Sequence, residues 1–133
     1  MKGIVVFSGS AHHALADEIC DHLEVPRSHV KISRFSNDCL QAQLLANCRQ
    51  RDVYIVQPLM PPTQEHLMEL LLMVNAARGA SAAQITAVIP HYAYARSDKK
   101  DASRISLGGR LVADLLVTAG VDRVLTMNLH APQ

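Results

Sequence analysis

The sequence predicts a single α/β domain built on a mainly parallel sheet with helices on both faces. Three observations carry that expectation. Short, mainly apolar runs such as 3–7 and 52–56 have the composition of strands buried on both sides. They alternate with longer segments whose apolar residues recur at helical spacing. The length, 133 residues, suits one domain and leaves no room for two.

The first apolar run, Gly3 to Phe7, closes on Ser8-Gly9-Ser10 and reads as a buried strand entering a turn. From Ala14 to Leu23 the residues Leu15, Ile19 and Leu23 recur every four positions, which predicts a helix ended shortly before Pro26. Val30 to Ser33 and Leu40 to Leu45 are read as short strands, with Phe35 to Asp38 as the turn between them. Asp52 to Val56 is the next buried strand, after which Pro58, Pro61 and Pro62 forbid regular structure. Thr63 is placed to cap the following helix, whose apolar stripe is Leu67, Leu70, Leu71, Val74 and Ala77. Gln84 to Ile89 predicts a third buried strand. Pro90 to Arg104 reads as a long polar and basic loop, expected to be mobile between Arg96 and Arg104 when no ligand is bound. Leu107, Leu111, Leu115 and Leu116 are expected to line a last helix, and Arg123 to Met127 to form a last buried strand.

Composition excludes several functions. Thirteen Lys and Arg against twelve Asp and Glu give a net charge of +1, unlike a nucleic-acid binder that relies on a basic face. No stretch approaches the roughly 20 apolar residues that span a bilayer. The N-terminus turns polar too soon for a secretory signal. The three cysteines, Cys20, Cys39 and Cys48, follow no zinc or redox spacing, so unpaired thiols in a cytoplasmic protein are expected. The chain ends a few residues after a predicted buried strand, which suggests half of a larger assembly.

In a parallel sheet, ligands sit beyond the carboxyl ends of the strands. That rule directs attention to Ser8-Gly9-Ser10, to Pro90 through Arg104, and to Asn128-Leu129-His130. A receiver domain would need paired acids after the first strand, and Ser8 and Gly9 stand there instead. Phosphate-loop, dinucleotide-binding, hydrolase-elbow and zincin motifs are absent. His66 and Glu69 sit three apart on a helix and could ligate a metal, although a solvated helix face is the expected setting for such residues. His12 and His13 are expected to serve the start of a helix or its surface. Arg96, Lys99, Lys100 and Arg104 gather on one loop at a strand's carboxyl end, and arginine forks match phosphate oxygens in pairs, which suits a polyphosphate.

Seven ordered motifs then become specific. They are Arg-Phe-Ser-x-x-x-Leu (34–40), Leu-Met-Glu-Leu-Leu (67–71), Ile-Thr-Ala-Val-Ile-Pro (85–90), Tyr-Ala-Arg-x-Asp-Lys-Lys (94–100), Ser-Arg-Ile-Ser (103–106), Leu-Val-Ala-x-Leu-Leu (111–116) and the run 119–130. Together they resemble the N-terminal half of ribose-phosphate diphosphokinases, the phosphoribosyl pyrophosphate synthetases, over essentially the whole chain. The resemblance implies a phosphoribosyltransferase-like N-terminal domain, with a C-terminal domain for the ribose-phosphate loop lying outside this chain. It implies transfer of diphosphate from ATP to ribose 5-phosphate with Mg²⁺, in a cytoplasmic homo-oligomer, and no activity for the isolated domain.

Carried over by residue, the resemblance makes Phe35 the adenine-stacking residue, offered to a neighbouring subunit's site. Arg96 would grip the ATP phosphates and His130 would hold the metal. Arg49, Ser103 and Arg104 would form a regulatory phosphate site. Four positions depart from the family pattern: Asn37, Cys39, Ser97 and Asn128 stand where Asp, Glu, Gln and Asp are usual. Cys39 and Asn128 each lose a carboxylate, and an amide does not complement Mg²⁺ as a carboxylate does. These changes admit two other readings. One is a non-catalytic regulatory subunit of the same family; the other is a small nucleotide-binding module acting alone.

Overall fold

The computed structural model describes residues 3–90, 104 and 108–126. Five strands form one parallel sheet: β1 (Ile4–Ser8), β2 (Arg27–Ser28), β5 (Asp52–Val56), β6 (Gln84–Ile89) and β7 (Arg123–Thr126). Their spatial order is β2-β1-β5-β6-β7. Among the described residues three helices accompany them: α1 (His13–Leu23), α2 (Thr63–Gly79) and α3 (Gly108–Ala119). Between β2 and β5 the chain makes an antiparallel hairpin, β3 (Val30–Arg34) and β4 (Leu40–Leu44), which forms a sheet of its own.

The fold follows from alternation along each strand. Val5, Phe7, Val53, Ile55, Ile85, Ala87 and Ile89 point to one face and pack with Leu70, Met73, Val74 and Ala77 of α2 and with Val112 and Leu116 of α3. Val6 and Val56 point to the other face, where Ala16 and Cys20 of α1 cover them, flanked by Ile4, Leu15, Ile19 and Tyr54. The sheet is therefore covered on both faces, as expected. In the hairpin, Leu40, Ala42 and Leu44 of β4 alternate with exposed Gln41 and Gln43, and Val30, Ala42 and Leu44 pack on the larger cluster beside α2.

Some expectations change. Leu23 is exposed, and the buried stripe of α1 runs through Ala16 and Cys20. Thr63 does not cap α2. Pro62 takes the capping position with extended backbone and no side-chain bond, and the Thr63 hydroxyl turns back to the Leu59 carbonyl at 3.5 Å. Leu111 and Leu115 face outward, because the buried stripe of α3 is Gly108, Val112 and Leu116, of which Val112 and Leu116 join the core cluster. Among the described residues β7 is the outermost strand next to β6, and its Val124 and Leu125 are exposed where burial was expected. The predicted loop from Pro90 to Arg104 lies outside the described residues except for its two ends.

Other expectations stand. His12 caps α1, its Nδ1 accepting the Leu15 N–H at 3.1 Å. Cys20, Cys39 and Cys48 are all free thiols. No helix among the described residues is long and apolar enough to cross a membrane.

Candidate functional site

The strand order places the first crossover to one side of β1 and every later one to the other, so the crevice between the carboxyl ends of β1 and β5 is the topological switch point. The chain's own side chains fill it. Gln57, directly after β5, is fully buried, and its Oε1 accepts the Ala11 N–H at 3.1 Å. Its Nε2 donates to the His66 carbonyl at 3.2 Å and to Glu69 Oε1 at 3.1 Å. Glu69 also accepts the Ser10 N–H at 2.5 Å and, through Oε2, the Ser10 hydroxyl at 2.8 Å. His66 donates from Nδ1 to the Met60 carbonyl at 2.7 Å, since a carbonyl can only accept.

The expectation of a solvated helix face for His66 and Glu69 is thus overturned. His66 and Glu69 are buried because residues 66, 69, 70, 73, 74 and 77 recur at the 3.6 period and all face inward. The two side chains serve the loop after β1 and the segment before α2. A missing side chain completes the arrangement. A Cβ at Gly9 would stand 2.3 Å from Gln57 Oε1, so only glycine allows the Gln57 amide to lie against the chain there.

The second part of the candidate site is the hairpin tip. Phe35 is 50% exposed. Its N–H donates to the Cys39 carbonyl at 2.8 Å, and its carbonyl accepts the Asp38 N–H at 2.9 Å, which closes a tight turn. Asn37 uses its side-chain oxygen to accept the Cys39 N–H at 3.1 Å. Asp38 takes a left-handed backbone, φ 74°. Arg34 donates to the Asp38 carboxylate and carbonyl and, with its other terminal nitrogen, to Glu65 on α2. These carboxylates, Asp38 first, push the Arg34 pKa above its ordinary value.

Arg49 is exposed on the loop between β4 and β5, where its N–H donates to Asn47 Oδ1 at 3.0 Å. The next residue, Gln50, donates its N–H to the Ser81 carbonyl at 2.8 Å, so this loop rests on the turn after α2. Arg104 is exposed with a left-handed backbone, φ 61°. Arg96, Ser103 and His130, together with Ser97 and Asn128, lie outside the described residues. The strands that lead toward Arg96 and His130 end side by side, with Ile89 paired to Thr126. Among the described residues no group of three or more His, Cys, Asp or Glu side chains is arranged to hold a metal ion.

Sequence reasoning missed Gln57 and the bracing role of Arg34, and it singled out Glu69 only as a possible metal ligand or a solvated residue. Helical spacing alone could have drawn His66 and Glu69 inside, because they share the face of Leu70 and Val74. Nothing in sequence spacing joins Ser10 to a residue 59 positions away.

A family model described as the N-terminal domain of ribose phosphate pyrophosphokinase matches residues 4–120. A Streptomyces coelicolor protein assigned to the ribose-phosphate pyrophosphokinases is 69% identical over 133 residues, 100% of this chain and 42% of that protein. The ribose-phosphate pyrophosphokinase of Deinococcus radiodurans is 54% identical over 130 residues, 98% of this chain and 41% of the relative. Among solved structures, the phosphoribosylpyrophosphate synthetase of Mycobacterium smegmatis superimposes with a TM-score of 0.95 at 39% identity, covering 99% of this chain and 44% of that one. The chain spans less than half the length of the curated relatives it matches.

Proposed function

The chain belongs to the ribose-phosphate pyrophosphokinase family, whose N-terminal domain it matches, and from that premise we propose that it is the nucleotide- and Mg²⁺-binding half of a diphosphate-transferring enzyme. In the proposed reaction the anomeric oxygen of ribose 5-phosphate attacks the β-phosphorus of ATP. The bond between the α- and β-phosphoryl groups breaks, AMP leaves and the anomeric proton is lost. Ribose 5-phosphate would be held by a C-terminal domain, and the whole would work as a homo-oligomer in the cytoplasm.

The observation that carries this reading is the half-exposed Phe35 ring on a hydrogen-bonded turn at the hairpin tip. An aromatic plane held outward by its own backbone is suited to stacking on a purine base of a neighbouring subunit's site. Arg96 would neutralise the polyphosphate with its planar fork of donors, the kind of charge compensation that diphosphoryl transfer chiefly requires. His130 would help hold Mg²⁺ against the same phosphates, where the ion would supply charge neutralisation at the transferred group. Support for a common rim comes from Ile89 and Thr126, since the chain leaves toward Arg96 and His130 from adjacent strand ends. Arg49, Ser103 and Arg104 would form the regulatory phosphate site.

The test is calorimetric titration of this chain with Mg²⁺–ATP beside its Phe35→Ala and Arg96→Ala variants. Binding that both substitutions weaken is the expected result, and equal binding by all three proteins overturns the assignment. The chain alone is expected to release no AMP from ATP and ribose 5-phosphate; robust turnover would refute its being half of the enzyme.

The exposed Cys39, at a position where the family resemblance implies a carboxylate, favours one second reading, a non-catalytic regulatory subunit. Cys39→Glu together with Asn128→Asp, made in the longer protein, separates the two readings. A protein that is already fully active without them excludes the regulatory one.

A further inference from the structure

Arg34 stands at the centre of the hairpin's polar contacts. It is the last residue of β3, so its backbone leads directly into Phe35. One terminal nitrogen donates to the Asp38 carboxylate and, at 3.3 Å, to the Asp38 carbonyl; the other donates to Glu65 in the first turn of α2. A single guanidinium therefore closes the turn across its mouth and fastens it to a helix packed on the sheet. Its planar fork holds the two donors in fixed directions, whereas an ammonium on a flexible stem would not hold both partners in one geometry.

The turn needs such a fastening. Asp38 sits at φ 74°, a conformation in which a side chain crowds the following carbonyl. The backbone bonds within 35–39 fix the loop's shape but not its tilt against α2. Below the tip, Val30, Ala42 and Leu44 anchor the hairpin on the larger core cluster. At the tip itself Phe35 is half exposed, so apolar packing does not set the direction of its ring.

We infer that Arg34 is a positioning residue: by bridging Asp38 and Glu65 it fixes the orientation of the Phe35 ring and presents it ready for a flat aromatic ligand. Identifying that ligand as the adenine of a nucleotide rests on the function proposed above; the bracing itself does not. The arrangement also makes ring presentation sensitive to ionic strength. All three charged side chains are substantially exposed, at 40%, 82% and 41% for Arg34, Asp38 and Glu65, so salt screens them.

The chain's composition supplies a direct test. It has only two phenylalanines, Phe35 and the fully buried Phe7. Protein labelled with fluorophenylalanine gives two fluorine resonances, one reporting the turn and one the core. Arg34→Ala, Arg34→Lys and Glu65→Gln are each expected to shift the Phe35 resonance and to reduce its salt dependence while Phe7 stays in place. The double exchange Arg34→Glu with Glu65→Arg restores the tie to α2 and is expected to return part of the shift. An unmoved Phe35 resonance in both Arg34→Ala and Arg34→Lys overturns the inference, and the Phe7 line shows whether the variant is folded. Addition of Mg²⁺–ATP then separates the two claims. If ATP moves the wild-type Phe35 line, Arg34→Ala is expected to need about threefold more nucleotide for the same shift, the scale of exposed ion pairs. If ATP moves nothing while Arg34→Ala still displaces Phe35, the bracing is upheld and the nucleotide reading fails.

Discussion

Glu69, in the middle of α2, accepts both the backbone N–H and the hydroxyl of Ser10, at 2.5 and 2.8 Å across 59 positions of sequence. The carboxylate thereby ties the loop after the first strand to the helix on the opposite side of the switch point. Glu69→Ala would leave the Gln57 amide and the Ser10 N–H without this acceptor. It is expected to cost about 2–3 kcal/mol, the scale for orphaning buried donors. Glu69→Gln keeps one acceptor oxygen, and the Ser10 hydroxyl can rotate to accept from the new amide, so about 1 kcal/mol is expected. Urea unfolding of the three proteins checks the ranking, and equal midpoints for Glu69→Ala and wild type would remove Glu69 from the framework.

Gly9 is the partner of that arrangement. An added methyl would meet Gln57 atoms at 2.3, 2.4 and 2.6 Å. Gln57 is not free to give way, because it bonds Ala11, His66 and Glu69 at once. Gly9→Ala is therefore expected to destabilise by about 1–3 kcal/mol, as overpacking does. In a Gln57→Ala background the added methyl has space, and its cost is expected to fall to about 0.5 kcal/mol or less. Additive effects in this double-mutant cycle would contradict the direct contact.

Leucines on α2 and α3 separate core from surface in a way the sequence alone does not. Leu70 and Leu116 are fully buried, whereas Leu111 is 54% exposed. Leu70→Ala and Leu116→Ala are expected to cost about 2–5 kcal/mol each through lost burial and the cavity left behind. Leu111→Ala is expected to stay within about 0.5 kcal/mol, as for other surface changes. A Leu111→Ala cost matching the other two in chemical denaturation would mean that this face is covered in solution.

What the sequence makes legible is whatever rests on local periodicity. The runs at 3–7, 52–56 and 84–89 became central strands because short, mainly apolar segments between turns suit strands buried on both faces. The hairpin was legible from its alternation and from the polar turn at 35–38. Periodicity is ambiguous where two apolar stripes run side by side on one helix: in α3 Leu111 and Leu115 repeat at the same spacing as Val112 and Leu116, and only the latter pair is buried. It fails for polar residues whose burial is justified by distant partners. His66 and Glu69 have the residue types of a surface, and only the approach of Gln57 and Ser10 makes burying Glu69 tolerable. The exposed Phe35 and Arg49 stand on described loops, while Arg96, Ser103 and His130 lie outside the described residues.

The cysteines tie burial to pH. Cys20 and Cys48 are buried and Cys39 is exposed, so a thiol reagent under native conditions is expected to modify Cys39 rapidly and the other two only after unfolding. Burial pushes the Cys20 thiol above its ordinary value of 9.0, with Asp17 adding to the rise and Arg27 opposing it. Burial does the same to Cys48, against the pull of Arg51. In the unfolded chain these thiols lose their protons near pH 9, while in the folded protein they keep them longer, so above that pH the unfolded state binds fewer protons. Their contribution to stability is therefore fully present below pH 9 and is lost as pH climbs through the raised folded values. A Cys20→Ala/Cys48→Ala protein lacks both groups, and its thermal midpoint is expected to fall less between pH 8.5 and 10.5, a window set about the unperturbed thiol value. Parallel declines for variant and wild type would show that the two thiols titrate alike in both states.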